Sequence, residues 1–488
     1  MNGFLEGLTQ GIDFLNGIVW SDWLVYLCFA VGLLFTVAAK FPQIRYLKEM
    51  VRLIVREKGS SEGVSSYQSF VLTVGARVGT ANIVGVAAAI AFGGPGSIFW
   101  MWVLAILGAA TSFFECALAQ VYKTEVDGEY YGGTSYYIDK GLNMKWFAIL
   151  FAAMAALVNG IAGPGIHTNA IASSLKMTFG INQTVTGIVL TILIGIICFG
   201  GIKRIVRTSE LLVPVMAIGY IAISLIIVIV NIGKLPGVIA MIVSSAFGQD
   251  AMFGGILGSA LSWGVMRGVY SNEAGLGTAT NAAAAAETSH PAKQGLVQAF
   301  SIYVDTIIIC TASAFMILIT NSYNVYDGDA VIIENLPGIE EGAGYAITAV
   351  NTLFGNLGGM VVAIALSLFA FTSLIAGYYS GEANAVYVFK DEKLRRMAVF
   401  LIRLLTMAAT FYGTQVAGSI AWSLTDLGYG SMAWMNLVAV LLLTKIGVKV
   451  LQDYTNQKKQ GLDPVFDPDK LGIKNAGLWN EIKKNYLK

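Results

Sequence analysis

Arg77–Gly85 reads RVGTANIVG, and 190 positions further on Arg267–Gly275 reads RGVYSNEAG. Both fit R-x4-N-x2-G, and both lie inside long apolar stretches where charge and glycine should be scarce. Each glycine lowers helix propensity by about 1 kcal/mol relative to alanine. In the first stretch Gly75, Gly79 and Gly85 share one apolar run with Thr80 and Asn82, whose side chains offer hydrogen bonds to freed backbone groups. Gly264, Gly268, Gly275 and Gly277, with Ser271, Asn272 and Thr278, repeat that composition. Two readings stand side by side. Small residues permit close helix packing, or the helix unwinds. An unwound turn strands donors and acceptors in hydrocarbon, so it persists only where it lines a polar cavity or binds something.

The rest of the chain sets the solvent. Of 488 residues 56% are hydrophobic and 12% charged, with 55 glycines. A soluble domain carries about 25% charged residues, so lipid is expected to be the main surroundings. The net charge of +1 gives no sign of a nucleic-acid partner. Cys28, Cys116, Cys198 and Cys310 sit in apolar stretches without a C-x-x-C pair, and read as small buried hydrophobes rather than disulfides or metal ligands. The first twenty residues contain Glu6 and Asp13 and no basic cluster, so no cleavable signal is expected.

About 20 apolar residues cross a bilayer. Eleven spans are predicted: Trp23–Ala38, Phe70–Phe92, Ile98–Val121, Trp146–Gly163, Val185–Gly200, Leu211–Ile232, Gly254–Ala284, Leu296–Thr320, Met360–Ser380, Val399–Val416 and Met432–Ile446. With the N-terminus outside, 26 of the 31 Lys and Arg fall in segments that would be cytoplasmic. Only Lys176 and Lys234 would be external, and Arg77, Arg267 and Arg403 lie within spans. That asymmetry is a strong positive-inside signal. The loop 321–359 carries Asp327, Asp329, Glu334, Glu340 and Glu341 and no Lys or Arg. Pro42–Lys58 spaces Ile44, Leu47, Val51 and Ile54 among basic residues, as an amphipathic helix on an anionic cytoplasmic surface would. The polar tail beyond Lys449, with Pro464 and Pro468, reads as a short cytoplasmic extension.

Setting aside the first helix leaves ten, with the two R-x4-N-x2-G segments first and sixth. Five-helix halves enter the membrane in opposite senses, which is the inverted-repeat plan of many secondary transporters. The expected architecture is therefore an all-α integral membrane protein with a 5+5 repeat and two discontinuous helices. Its parts are a helix and linker (1–69), two repeats (70–232 and 233–447) and a cytoplasmic tail (448–488). Half-helix N-termini favour a carboxylate, and unwound carbonyls favour a cation. Arg77, Glu115, Arg267, Glu273 and Asp305 are ionisable groups within spans, each open to a functional role or an interhelical pairing.

The run GGPGSIFWMWVLAILG at 93–108 resembles the diagnostic motif of the alanine/glycine:cation (sodium:alanine) symporter family, with Ser97 where that motif prefers Gly or Ala. GARVGTANIVGVA at 75–87, RGVYSNEAGLGTAT at 267–280, HPAKQGLVQ at 290–298 and FDPDKLGIKNA at 466–476 are also similar to family segments. The resemblance covers nearly the whole chain. It implies a leucine-transporter-like fold with one extra N-terminal helix, and Na+-coupled, less often H+-coupled, amino acid uptake. It further implies a sodium site from the carbonyls of Gly75, Val78 and Phe369 with the hydroxyls of Thr372 and Ser373. Gly79, Thr80, Ala81 and Asn82 would meet the substrate, with Tyr270, Asn272 and Ser373 close by. Two positions depart from the family: His167 replaces a usual glutamine and Gly377 a usual tryptophan. Losing an indole leaves room for a side chain larger than alanine's methyl, so glutamine or another polar amino acid joins the expected substrates.

Other classes find less support. A channel needs a continuous polar pore, usually lined by several subunits. With only His167 and His290, no H-E-x-x-H and no phosphate-binding loop, neither hydrolysis nor ATP-driven pumping has the residues it needs. A monomeric transporter of the cell membrane is expected, with its C-terminus in the cytoplasm.

Overall fold

A computed structural model describes residues 2–56, 63–249, 256–328, 330–416 and 418–486. Lys58, Asp329 and the start of the span predicted from Gly254 lie outside them. The chain opens with helices α1 (Asn2–Val19) and α2 (Asp22–Ala38), then α3 (Pro42–Arg45) and α4 (Leu47–Arg56). The first interrupted helix follows as α5 (Ser66–Arg77) and α6 (Val84–Gly93), and α7 is Gly96–Val121. A hairpin of β1 (Thr124–Val126) and β2 (Glu129–Tyr131) precedes α8 (Thr134–Leu142). Then come α9 (Lys145–Leu157), α10 (Gly163–Phe179), α11 (Gln183–Cys198), α12 (Gly201–Val230) and α13 (Leu235–Ala246). The second interrupted helix is α14 (Leu257–Asn272) and α15 (Ala279–Ala285), followed by α16 (Pro291–Ile302) and α17 (Thr311–Ile319). Hairpin β3 (Asn324–Asp327)/β4 (Ala330–Glu334) leads to α18 (Ala343–Phe354) and α19 (Asn356–Val388). The chain ends in α20 (Glu392–Gly413), α21 (Gly418–Leu442), α22 (Thr444–Lys459) and α23 (Trp479–Tyr486).

Among the described residues six helical stretches are long and apolar enough to cross a bilayer, and a seventh if α21 and α22, bent by 61°, count as one. The other four predicted spans are the two interrupted helices, the 16-residue α11 and the charge-bearing α20. α1 was not expected as a helix. It lies against α21, with Asn16 Nδ2 donating to Ser423 O (2.8 Å) and Trp20 Nε1 to Asp426 O (2.9 Å).

The fourth predicted span runs well past its expected end. Trp146–Gly163 was expected to stop at the Gly-Pro pair, but the helix continues to Phe179. A π-helical turn at Val158–Ala162 absorbs Pro164, which has no N–H to offer the Gly160 carbonyl. Thr406 Oγ1 donates to that carbonyl instead (2.7 Å). A second π segment, Tyr303–Cys310, joins α16 to α17. The lowest layer of the core is α7, wholly buried from Gly108 to Val121 and packed against α2, α14 and α16. Lipid-facing residues ring the outside, among them Val185, Ile192 and Ile196 of α11 and Leu211, Ile218 and Ile229 of α12. All four cysteines are buried and unpaired.

In the surface segment Ile44, Leu47 and Val51 are exposed as expected, but Ile54 turns inward with Met50 and Leu53, and Val55 takes its place on the outer face.

Candidate substrate and cation site

The first break begins where α5 ends. Val78 N still reaches Val74 O (2.7 Å), but the next amide, Gly79 N, goes to the Asn82 side-chain oxygen (2.8 Å). The Gly75 carbonyl thereby loses the amide that an uninterrupted helix would supply. Asn82 N turns to Gly79 O (3.2 Å), which frees Val78 O in the same way. A 3₁₀ turn at Thr80–Asn82 then leads into α6.

Facing the Gly75 carbonyl is α19. Ser373 Oγ lies 3.1 Å from Gly75 O, 2.9 Å from Ala76 O and 3.2 Å from Phe369 O, while Thr372 Oγ1 is 2.9 Å from Phe369 O. One hydroxyl proton satisfies one of three carbonyls at a time. The cluster is thus rich in buried oxygen and short of donors, which is the environment a hard monovalent cation fits. Val78 and Phe369 are fully buried. A side chain at Gly79 would displace the Ser373 hydroxyl, because an added Cβ would run into Ser373 Oγ.

Next to this cluster is an enclosed cavity of about 40 Å³. Gly79, Thr80, Ala81, His167, Tyr270, Ser373 and Gly377, all singled out from the sequence, line it together. Thr80 Oγ1 and His167 Nδ1 are 3.1 Å apart, and the Tyr270 ring packs on Trp422 (5.2 Å) and Tyr429 (5.1 Å). Asn82 and Asn272 are buried but do not face the cavity; both are occupied in holding the breaks. Asn159 and Tyr429, not anticipated, do line it, joined by a bond from Tyr429 Oη to Asn159 Oδ1 (3.3 Å). The signal available for Asn159 was an amide just ahead of Gly-Pro-Gly in an apolar helix.

Thr80 also faces a second, much larger cavity of about 1030 Å³. Its walls include Arg267, Trp422 and the segment 338–344 with Glu340 and Glu341. The two cavities thus meet at Thr80, the larger forming a vestibule bordered by the acidic segment.

The second break is built differently. α14 runs unbroken through Gly264 and Gly268, correcting the expectation that these glycines loosen it. A Cβ on Gly264 would stand 2.6 Å from Ser97 O, and one on Gly268 2.9 Å from Leu104 Cδ2, so both permit close packing on α7. The helix stops after Asn272, with Glu273 in the left-handed region at φ 55°. Asn272 Oδ1 accepts from Ala274 N (3.0 Å), and Thr278 Oγ1 donates to Glu273 Oε2 (2.6 Å). Asn436 Nδ2 holds Gly275 O (2.8 Å) and Glu115 Oε2 (2.8 Å), so Glu115 anchors the residue that ties down this break.

The remaining buried charges brace the same region. Asp305 Oδ1 accepts from Asn82 Nδ2 (2.6 Å) and Oδ2 from Ser271 Oγ (2.8 Å), so one carboxylate links the two breaks. Arg77 donates to Ser112 Oγ (3.0 Å), Gln298 O (3.0 Å) and Ser301 Oγ, pinning the end of α5 to α7 and α16. Arg267 makes no such set. Its guanidinium stands over Trp263 (5.0 Å) and Trp422 (5.2 Å) at the vestibule wall, with Nε and Nη1 buried and without a hydrogen bond.

The sequence profile of the sodium:alanine symporter family matches residues 5–468. The chain belongs to the sodium:alanine symporter family. A putative sodium/proton-dependent alanine carrier protein of Bacillus subtilis is 50% identical over 468 residues, covering 96% of each chain. A probable sodium/glutamine symporter of the same organism is 43% identical, covering 96% of this chain and 95% of its own. Among solved structures, a Na+-coupled sialic acid symporter in an outward-open state superposes with a TM-score of 0.51 at 12% identity, over 94% of this chain and 98% of its own. The fold is of the leucine-transporter type shared by such symporters, and members of this family are transporters rather than enzymes. The protein is a multi-pass membrane transport protein.

Proposed function

We propose that this family member is a sodium-coupled symporter that imports a neutral amino acid by alternating access. The observation that carries the reading is the first break: the Gly75 and Ala76 carbonyls beside Ser373, adjoining a cavity that Gly79, Thr80 and Ala81 also wall. Sodium would be held by the carbonyls of Gly75, Val78 and Phe369 and the hydroxyls of Thr372 and Ser373. Thr80, Ala81 and the nearby backbone would orient the substrate's charged ends, with Tyr270 closing one side. Ser373 would belong to both sites, which is the physical basis for coupling: each ligand completes the surroundings of the other.

The acidic-loop vestibule is read as external, with the N-terminus outside, the C-terminus in the cytoplasm and a single chain as the transport unit. Two inverted five-helix repeats, with their interrupted helices facing across the site, would supply the moving halves. Gly377 presents no side chain to the cavity wall, where even an added Cβ would stand 3.3 Å from Asn159 O. His167 adds a polar contact point. Alanine is one substrate on this reading, and glutamine-sized polar amino acids are others. Proton coupling is the second reading, favoured by the sodium/proton-dependent designation of the 50% identical relative.

Purified protein in liposomes separates the two. Alanine or glutamine uptake driven by an inward Na+ gradient, and absent when a proton gradient replaces it, supports sodium coupling. Uptake that follows only the proton gradient overturns it. Strong preference for alanine and glycine over every larger amino acid would refute the open-wall assignment.

A further inference from the structure

A third cavity, of about 150 Å³, lies away from the transport site, between the end of α2, α3 and α22. Lys40, Arg45 and Lys459 line it, together with the neutral polar side chains of Gln452, Thr455 and Asn456. Among the described residues no acidic side chain lines it. Among the described residues neither Lys40 nor Lys459 forms an ion pair, in contrast to Arg52 and Lys458, which both pair with Glu49. Arg45 is held in place: Nη2 donates to Tyr46 Oη (2.9 Å), and Tyr46 Oη meets Thr455 Oγ1 of α22 (2.6 Å). Most of its guanidinium donors remain free for a ligand.

The backbone around the cavity is unusual. Lys40 and Phe41 both adopt the left-handed region, at φ 57° and 58°, although neither is glycine. Each such residue costs on the order of 1 kcal/mol, and strain of this kind is retained where the surroundings require it. Here it turns the chain from the end of α2 into α3 and places Lys40 at the cavity. Large apolar side chains close in the chain to Ala38, Lys40 and Arg45 give this segment an apolar rim: Val37, Phe41, Ile44 and Leu47 are all exposed, Ile44 by 63%. A soluble anion has no use for that rim. A ligand that is anionic at one end and hydrocarbon at the other uses both.

We infer that this cavity is a binding site for the headgroup of an anionic phospholipid, its phosphate facing Lys40, Arg45 and Lys459 and its acyl chains lying along Val37, Phe41 and Ile44. Clustered Lys and Arg at the end of a membrane helix attract anionic headgroups at about 1 kcal/mol per residue. The site goes beyond the general attraction of a basic face, because three cations, a bounded cavity and an apolar rim converge on one molecule. It does not depend on which amino acid or ion is carried. Bound lipid would tie α2 and α3 to α22, whose Tyr454 and Lys458 in turn grip Glu49 of α4.

Native mass spectrometry of the full-length protein, offered equal phosphatidylglycerol and phosphatidylcholine, tests this. One phosphatidylglycerol should be retained in preference to phosphatidylcholine, and Lys40→Gln/Lys459→Gln should reduce its retention about tenfold. Lys470→Gln/Lys474→Gln, which removes the same charge from exposed positions elsewhere, should leave retention unchanged. Equal retention of both lipids, or equal loss in both double variants, overturns the site. Displacement of phosphatidylglycerol by an equal concentration of glycerol 3-phosphate would overturn the lipid assignment in favour of a soluble phosphate. Thermal unfolding of the unmodified protein gives an independent reading that needs no variant: phosphatidylglycerol should raise the midpoint and phosphatidylcholine should not, and equal shifts contradict the proposal.

Discussion

The two breaks share a sequence pattern and differ in what surrounds them. In the first, α5 ends at Arg77 itself, and the freed Gly75 carbonyl meets the Ser373 hydroxyl, whose single proton is shared among Gly75 O, Ala76 O and Phe369 O. In the second, α14 ends five residues past Arg267, and the Gly275 carbonyl is taken up by Asn436, itself held by Glu115. Gly277 O likewise accepts from Thr134 Oγ1 (3.3 Å) and Thr280 Oγ1. At the first break one hydroxyl proton faces three carbonyls, whereas at the second Gly275 O and Gly277 O each have a side-chain donor of their own. The difference teaches that an R-x4-N-x2-G motif does not define a site; the donor count around the opened carbonyls does.

The largest effect expected is from Gly79→Ala. Its methyl must displace Ser373, and a shift of that kind at a binding site costs about 100-fold or more in uptake. Gly264→Ala, within a continuous part of the other interrupted helix, should be read mainly in stability, by the unfolding midpoint. Comparable loss of uptake with unchanged stability in both would break the comparison.

Asp305→Ala comes next, because it releases Asn82 and Ser271 together. Hydrogen bonds to a charged group contribute about 1.5–3 kcal/mol each, so a clear fall in stability is expected, with a smaller one for Asp305→Asn. Equal stability of all three proteins would show that the carboxylate does not brace the breaks.

The arginine pair sharpens the contrast further. Arg77→Lys loses a three-point hydrogen-bond set and should destabilise the protein by about 2 kcal/mol. Arg267→Lys keeps a cation beside Trp263 and Trp422 and should unfold within about 0.5 kcal/mol of the parent, with its effect confined to uptake. The reverse order would contradict the assignment of Arg77 to the frame and Arg267 to the vestibule.

Gly377→Trp should shift the ratio of glutamine to alanine uptake by about tenfold toward alanine, in line with the 1–3 kcal/mol that a pocket gains or loses per group. Competition uptake measures it.

The smallest effect concerns Glu49, outside the spans. Burial raises its carboxyl, but Tyr454 Oη, Lys458 and Arg52 outweigh that and hold it below the ordinary 4.5. A carboxylate depressed in the folded state stabilises above its unfolded value and loses that contribution as pH falls through the lower folded one. Glu49→Gln should therefore flatten the acid limb of a melting curve below about pH 4.5, and an unchanged limb would remove Glu49 from the contact between α4 and α22.

Much of the site was legible in the chain. Seven of the residues expected to hold substrate or sodium line one cavity, because glycines and small hydroxyls at a helix break gather around the space that the break opens. What escaped reading is long-range. Asn159 and Tyr429 lie 270 positions apart, and nothing local announces their pairing. Pro164 looked like a helix end, and only a carbonyl partner from Thr406 and a π turn let the helix pass it. Gly264 and Gly268 looked like loosening residues, and only the nearness of α7 shows them to be packing contacts. The tail looked like a free extension, yet Phe466 and Trp479 are buried, with Trp479 Nε1 donating to Gln120 O (2.9 Å).

The central claim is that the first break binds sodium and substrate together. Equilibrium binding of radiolabelled alanine or glutamine to purified protein across a series of Na+ concentrations tests it directly, in the parent and in Ser373→Ala. Binding should require Na+ in the parent, and the Ser373→Ala protein, folded by its unfolding midpoint, should need about tenfold more Na+. Binding of either amino acid that is indifferent to Na+ in the parent, or an unaltered Na+ requirement in the variant, would contradict the account.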